Sequence, residues 1–295
     1  MLKGRLGLET ARVPHVDRHG LIGLAHGRLY VEDGTLRFRT AGTGDLPPGD
    51  YALPYQGLSL ILLGPGTTVS HDALRLAARH GTGLLAVGED GTRLYASLPG
   101  GADDSQLARR QARLWADAEG SRLFIARRLY AWRLGEVLPH RDIAVLRGIE
   151  GERMKALYRR LAEEFGIAWR GRRYDRANPQ GADLPNQAIN HAASAVEAAA
   201  AIAVAATSTL APLGFIHEDS ANAFTLDIAD LFRDAVTIPL AFAAVRNAER
   251  EPSRSIESHV RKLAGRTFRE KELIPSMIDR IKELFADDPD RGGDP

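Results

Sequence analysis

Leu98-Pro-Gly-Gly-Ala102 divides the chain, and the contrast between its two sides decides the fold. Four of these five positions resist continuation of a regular element or sit easily in a turn, so 98–102 reads as a linker. On its N-terminal side, residues 1–97, short apolar runs alternate with turn signals. Gly20–Val31 and Thr35–Arg39 flank Glu32-Asp33-Gly34, whose Asp-Gly pair predicts a hairpin. Leu58-Ser-Leu-Ile-Leu-Leu63 reads as a buried strand closed by Gly64-Pro-Gly66, while Leu84–Val87 and Arg93–Ala96 enclose a second such turn at Asp90-Gly91. Ser70–Arg79 is helical, with Ser70 as N-cap and Gly81 as stop. Beyond the linker, apolar residues recur at helical spacing through Asp104–Glu119, Ser121–Leu134, Glu150–Phe165, Asn186–Thr209, Asp227–Asn247 and Ser253–Leu284. The expected class is α+β: a β-rich N-terminal domain carrying one helix, then an all-α domain over 103–286. The polar tail, 287–295, is expected to be flexible.

Composition narrows the function classes. At 295 residues, 44% hydrophobic and 26% charged, the chain is a globular protein long enough for two domains. No apolar run reaches the roughly 18 residues of a membrane-spanning helix, and the N-terminus lacks the apolar core and cleavage site of a signal peptide. With no cysteine, disulfides, Cys-ligated metal and thiol catalysis are excluded, and the cytoplasm is the expected compartment. A net charge of +1 does not announce a polyanion binder, although only five of the 39 basic residues are lysine. Arginine suits phosphate recognition, but a GC-rich genome gives the same bias. Where the arginines cluster therefore matters more than their number.

No Walker A loop, Gly-x-Gly-x-x-Gly, Gly-x-Ser-x-Gly or His-Glu-x-x-His is present. What remains is a set of acids and a histidine in the helical half. Asp227-Ile-Ala-Asp230 reads as a helix start, where an i, i+3 pair aims two carboxylates at one point. A helix start also attracts acids for its dipole alone. His217 ends the apolar segment Leu213-Gly-Phe-Ile-His217 ten residues earlier. Glu150, between Gly148 and Gly151, reads as the head of an amphipathic helix with Met154, Leu157 and Leu161 on its apolar stripe. Taken together, Glu, His and Asp form a mixed oxygen and nitrogen set suited to Mg²⁺ or Mn²⁺.

Two basic clusters stand out. Trp169-Arg-Gly-Arg-Arg-Tyr-Asp-Arg176 interleaves four arginines, including Arg172 and Arg173, with Trp169 and Tyr174, a pattern for holding phosphates and stacking bases. Residues 250–272, with Arg254 and Arg261, carry seven basic against four acidic side chains. The arginines at 109, 110, 113, 127, 128 and 133 are offset by nearby acids and read as a solvated helix face.

Arg147-Gly-Ile-Glu-Gly-Glu-Arg153, Gly171-Arg-Arg-Tyr-Asp175, Gly214-Phe-Ile-His217 and Asp227-Ile-Ala-Asp230, in this order and spacing, resemble the CRISPR-associated spacer-acquisition integrases (Cas one), especially their subtype I-E branch. Gly64–Ala78 and Arg93-Leu-Tyr-Ala-Ser97 are similar to the same branch, so the resemblance runs over about residues 14 to 285. It implies an N-terminal β domain that dimerises and touches DNA, a catalytic helical domain, a homodimer, and assembly on a dimer of the second universal protein, Cas two. The implied activity inserts short double-stranded DNA with 3′-hydroxyl ends into CRISPR repeat DNA by transesterification, with an associated endonuclease activity. By motif position, Glu150, His217 and Asp230 would ligate the metal, and Asp227 would support the catalytic site. Arg93, Arg172, Arg173, Tyr174, Arg254 and Arg261 would contact DNA. The alternatives are a stand-alone metal-dependent nuclease and a non-catalytic architectural DNA binder.

Overall fold

In the computed structural model, the residues described are 20–43, 46–97, 106–118, 120–173 and 181–286. The linker at 98–102, the tail and Tyr174 lie outside them. The N-terminal part holds β1 (Gly20–Leu24), β2 (Gly27–Glu32), β3 (Thr35–Thr40), β4 (Gly49–Ala52), β5 (Leu58–Leu63), β6 (Thr68–Val69), α1 (His71–His80), β7 (Gly83–Val87) and β8 (Leu94–Ser97). These form two four-stranded sheets, ordered β1-β5-β7-β8 and β4-β3-β2-β6. Both Asp-Gly turns join antiparallel strands, β2 to β3 and β7 to β8. Asp33, Gly34, Asp90 and Gly91 all take positive φ, which explains the residue types chosen there. Ser70 caps α1 by accepting the Ala73 N–H at 3.2 Å, and Gly81 ends the helix at φ 66°. The expected strand Gly20–Val31 is split at His26 (φ 54°), which sends β1 into one sheet and β2 into the other.

Strand β5 shows how the sheet is used on both faces. Ile61 packs toward α1 with Phe38 and Leu29, whereas Leu60 and Leu62 join the core of the helical part. Alternate side chains of a strand point to opposite faces, so an unbroken apolar run marks a strand covered on both.

The helical part comprises α2 (Gln106–Ala116), α3 (Ser121–Leu134), α4 (Ile143–Phe165), α5 (Leu184–Ala206), α6 (Ala223–Asp230), α7 (Ile238–Arg250), α8 (Ile256–Glu270) and α9 (Leu273–Leu284). The Ala-rich α5 is central and packs against α6, α7, α8 and α9. Its small side chains let those helices approach closely. By length and composition α5 could cross a membrane, contrary to the expectation that no run is long enough, with a mean hydropathy of 1.4. Over half of that window is buried inside the protein, as befits a core helix.

Three helix boundaries differ from expectation, and each difference matters for the site. Helix α4 starts at Ile143, capped by Asp142, which accepts the Ala144 N–H at 2.7 Å. Glu150 is therefore in the third turn rather than at the head. The expected helix Asp227–Asn247 is two helices: α6 ends at Asp230, and a π turn over Arg233–Thr237 leads into α7. Pro239, at the start of α7, lacks the N–H that a continuous helix would need. Ser253–Leu284 likewise breaks at Glu272 (φ 46°), ahead of Pro275.

Candidate active site

Asp227 and Asp230 lie in the last turn of α6, where the helix dipole disfavours negative charge. They are not helix-start acids, and something else must hold them. For Asp227 that is the loop before the helix. The residue is 1% exposed; Oδ2 accepts the N–H groups of Phe215 (2.6 Å) and Ile216 (3.2 Å), and Oδ1 accepts that of His217 (3.0 Å). The same Oδ1 meets His217 Nδ1 at 2.8 Å. Beside a carboxylate, Nδ1 carries the proton, so the Nε2 lone pair is free. Nε2 stands 3.8 Å from Asp230 Oδ2. The hydrogen bond to Asp227 raises the His217 pKa above its ordinary value, against the opposing effect of burial.

The loop is fixed from α2. Gln111, fully buried, donates to the carbonyls of Leu210 and Leu213 and accepts the Leu210 N–H, while Trp115 Nε1 donates to the Gly214 carbonyl at 2.9 Å. Gly214 has no room for a side chain: a Cβ there would stand 2.3 Å from the His217 carbonyl oxygen and 2.7 Å from Ala223 Cβ. The tight loop lets three successive N–H groups converge on one carboxylate.

Glu150 reaches the same place from α4 through Arg133 of α3. Arg133 Nη2 lies 2.6 Å from Glu150 Oε1, and Nη1 donates to Asp230 Oδ2 at 2.9 Å. Arg133 is 6% exposed, so it is not part of a solvated helix face, as its neighbours in sequence suggested. Its spacing carried the signal: Ile125, Leu129 and Arg133 recur every four residues, which places the arginine on the buried stripe of α3. Glu150 stands likewise four residues from both Leu146 and Met154, buried positions of α4. Burial raises the Glu150 pKa, opposed by Arg133. Two further charged groups were not singled out in the sequence. Arg233, from the π turn, lies 3.5 Å from Asp230 Oδ1. Glu197, on α5, has its pKa raised by burial and feels the charges of Asp230, Arg233 and His217.

Thus Glu150, His217 and Asp230, from three separate segments, face one point, and Asp227 stands behind His217 rather than beside the other acids. Two carboxylates and an imidazole match a hard or borderline divalent cation. Among the described residues no three such side chains are spaced to hold an ion as they stand. At this site the Arg133 guanidinium separates the two carboxylates.

The residues expected to contact DNA have varied surroundings. Arg93 and Arg261 both pair with Glu257 Oε1, at 2.7 and 2.8 Å, joining the turn before β8 to α8. Arg254 is half exposed and lies 3.2 Å from Glu251. It lines, with Arg250, Lys262, Arg266 and Arg269, an open basic cavity of about 470 Å³ between α7 and α8. Arg172 donates to Asn186 and Asn190, and the Arg173 N–H to Asn186, tying this segment to the start of α5. Trp169 is no stacking platform: it lies 5.1 Å from Tyr158, nearly parallel, and edge-on to Phe242, so its ring completes the core.

The chain is similar to known proteins along most of its length. The model of the family CRISPR associated protein Cas1 matches residues 130–263, which hold Arg133 and all four site residues. The CRISPR-associated endonuclease Cas1 of Escherichia coli (strain K12) is 37% identical over 278 residues, 93% of this chain and 87% of that protein. This chain belongs to the Cas1 family. The Cas1 of Geobacter sulfurreducens is 35% identical over 93% of the chain and 87% of its own length. The fold agrees too: a crystal structure of a TtCas1–DNA complex superposes with a TM-score of 0.81 at 33% identity, covering 91% of this chain and 97% of that one.

Proposed function

We propose that this Cas1-family chain is a divalent-metal-dependent DNA integrase of CRISPR adaptation, with endonuclease activity at the same site. The observation that carries the proposal is the convergence of Glu150, His217 and Asp230 around Arg133, with Asp227 orienting the imidazole. The names of its relatives, CRISPR-associated endonucleases, and the DNA complex of a similar structure support a DNA phosphodiester as the substrate.

Glu150, His217 and Asp230 would hold Mg²⁺ or Mn²⁺. Such an ion supplies charge to stabilise a five-coordinate phosphorus and lowers the pKa of an attacking hydroxyl. Asp227 keeps the Nδ1 proton in place so that Nε2 presents a lone pair. Arg233 and Arg133 add positive charge where a phosphate would lie. Exchange of one phosphodiester for another conserves bond energy, which agrees with the lack of a Walker A loop. A DNA 3′-hydroxyl as attacker gives strand joining, and water in its place gives cleavage. Through the family resemblance the proposal extends to a homodimer, to a Cas two dimer as partner, and to CRISPR repeat DNA as target.

The test is a strand-transfer assay with a 3′-hydroxyl fragment and a supercoiled repeat-bearing plasmid, run in Mg²⁺, in Mn²⁺ and with chelator. Joined product in metal, lost with chelator and in Glu150→Ala, His217→Ala and Asp230→Ala, is expected. Cleavage without joining would leave the stand-alone nuclease. Full activity in all three variants would remove the site.

A further inference from the structure

Arg133 stands where a cation should. Its Nη1 and Nη2 take Asp230 Oδ2 and Glu150 Oε1, the same Asp230 oxygen that lies 3.8 Å from His217 Nε2. A cation held by His217, Asp230 and Glu150 would draw on the same two carboxylates that the guanidinium now engages through one oxygen each, including the Asp230 oxygen nearest His217. The fit of Arg133 is imperfect: among the described residues its buried Nε has no hydrogen-bond partner, and Nη2 approaches Glu150 closely without being aligned to hydrogen-bond. A buried donor left unpaired costs free energy, so this resting place is one a better ligand can displace. Other groups face the same oxygens, since Arg233 lies 3.5 Å from Asp230 Oδ1 and Glu197 and Asp234 add negative charge around them.

We infer that Arg133 and a divalent cation compete for the carboxylates of Glu150 and Asp230, so that Arg133 is a built-in brake on metal loading. The inference rests on the metal site proposed above. Without the ion, the guanidinium neutralises two buried acids that would otherwise repel each other. With the ion bound, Arg133 loses both partners and becomes a cation in want of an anion, within reach of the metal ligands. A DNA phosphate is the anion the site is built to receive. Metal and DNA should therefore load cooperatively, each removing a cost from the other's binding. Such coupling would hold the nuclease idle until a strand is in place.

The test is Mn²⁺ titration by calorimetry of the full chain, with and without a short DNA duplex, for the parent, Arg133→Gln and Arg133→Lys. Glutamine removes the competing charge. Lysine keeps a charge, but its single ammonium cannot fork both carboxylates. Both variants should bind Mn²⁺ more tightly than the parent in the absence of DNA, Arg133→Gln by about tenfold or more, as expected for removing a neighbouring positive charge. The tightening of Mn²⁺ binding by DNA should shrink in both. Unchanged or weaker Mn²⁺ affinity in the variants overturns the brake, because Arg133 would then only buttress the ligands. If Arg133→Gln does not fold, Arg133→Lys decides alone. If neither the parent nor the variants bind Mn²⁺, with or without the duplex, the metal site fails, and the brake with it.

Discussion

Replacing Asp227 by asparagine changes one atom and separates two roles. In the parent, Oδ2 takes two backbone N–H groups and Oδ1 takes the His217 N–H together with its ring Nδ1. An amide has one acceptor oxygen, so in either orientation two donors face an NH₂ group instead. Hydrogen bonds to a charged acceptor contribute about 1.5–3 kcal/mol each, and a buried donor left unpaired costs about 1–3 kcal/mol. Allowing for relaxation of the loop, Asp227→Asn should lose roughly 3–4 kcal/mol, read as a lower midpoint in urea denaturation. The second effect is on the imidazole. The favoured orientation puts the NH₂ beside the ring, because Nδ1 can turn acceptor whereas the backbone N–H groups cannot, and the proton then moves to Nε2, the nitrogen that faces Asp230. Loss of such an orienting partner typically weakens metal affinity about 10–100-fold, which Mn²⁺ calorimetry would read. An Asp227→Asn protein within about 0.5 kcal/mol of the parent, the range of a neutral surface change, and with unaltered Mn²⁺ affinity would refute this role.

Gly214→Ala should cost roughly 1–3 kcal/mol, because its Cβ meets the His217 carbonyl and Ala223 and the loop must shift; cleavage should fall with it, and a fully active, equally stable variant would show that the loop has slack. The raised His217 pKa predicts that Mn²⁺ affinity declines as pH falls through a value above 6.5, since the proton competes for Nε2. In metal-free protein the sign reverses: the stabilisation from the His217–Asp227 pair is full below 6.5 and disappears as pH rises through the raised value, so the stability gap to His217→Gln should narrow at high pH. A gap that widens with pH contradicts the pairing. Arg254→Gln should weaken DNA binding and lower the slope of log affinity against log salt by about one, the change expected when one phosphate is no longer neutralised; an unchanged slope means Arg254 touches no phosphate.

Much of the fold was legible because local chemistry agreed with the tertiary result. The Asp33-Gly34 and Asp90-Gly91 pairs sit at positive φ as their residue types require, and Ser70 and Gly81 bracket α1. Legibility failed where tertiary contact overrode pattern. Trp169 sits among arginines yet belongs to the core through Tyr158 and Phe242. Asp227 and Asp230 looked like a helix start because their true partners lie elsewhere in the fold: the N–H groups of Phe215, Ile216 and His217, from a loop whose course no periodicity encodes, hold Asp227, and Arg133 holds Asp230. Glu150, His217 and Asp230 were singled out from motif order, and the fold brings them to neighbouring positions around Arg133. Arg133 was overlooked because acids near it in sequence seemed to balance it, although its fourfold spacing from Leu129 and Ile125 placed it inside. Gln111 and Trp115, which hold the loop before α6, carry no chemical signature, and only their contacts reveal that they do.

Glu150, His217 and Asp230 sharing one divalent ion is the proposed working state of the site. An anomalous difference map at the manganese edge, from crystals grown with Mn²⁺, tests it most directly. A single strong peak about 2 Å from His217 Nε2 and from one oxygen each of Glu150 and Asp230 is the expected result. A map with no peak between these three side chains, or with its manganese elsewhere in the protein, would contradict it.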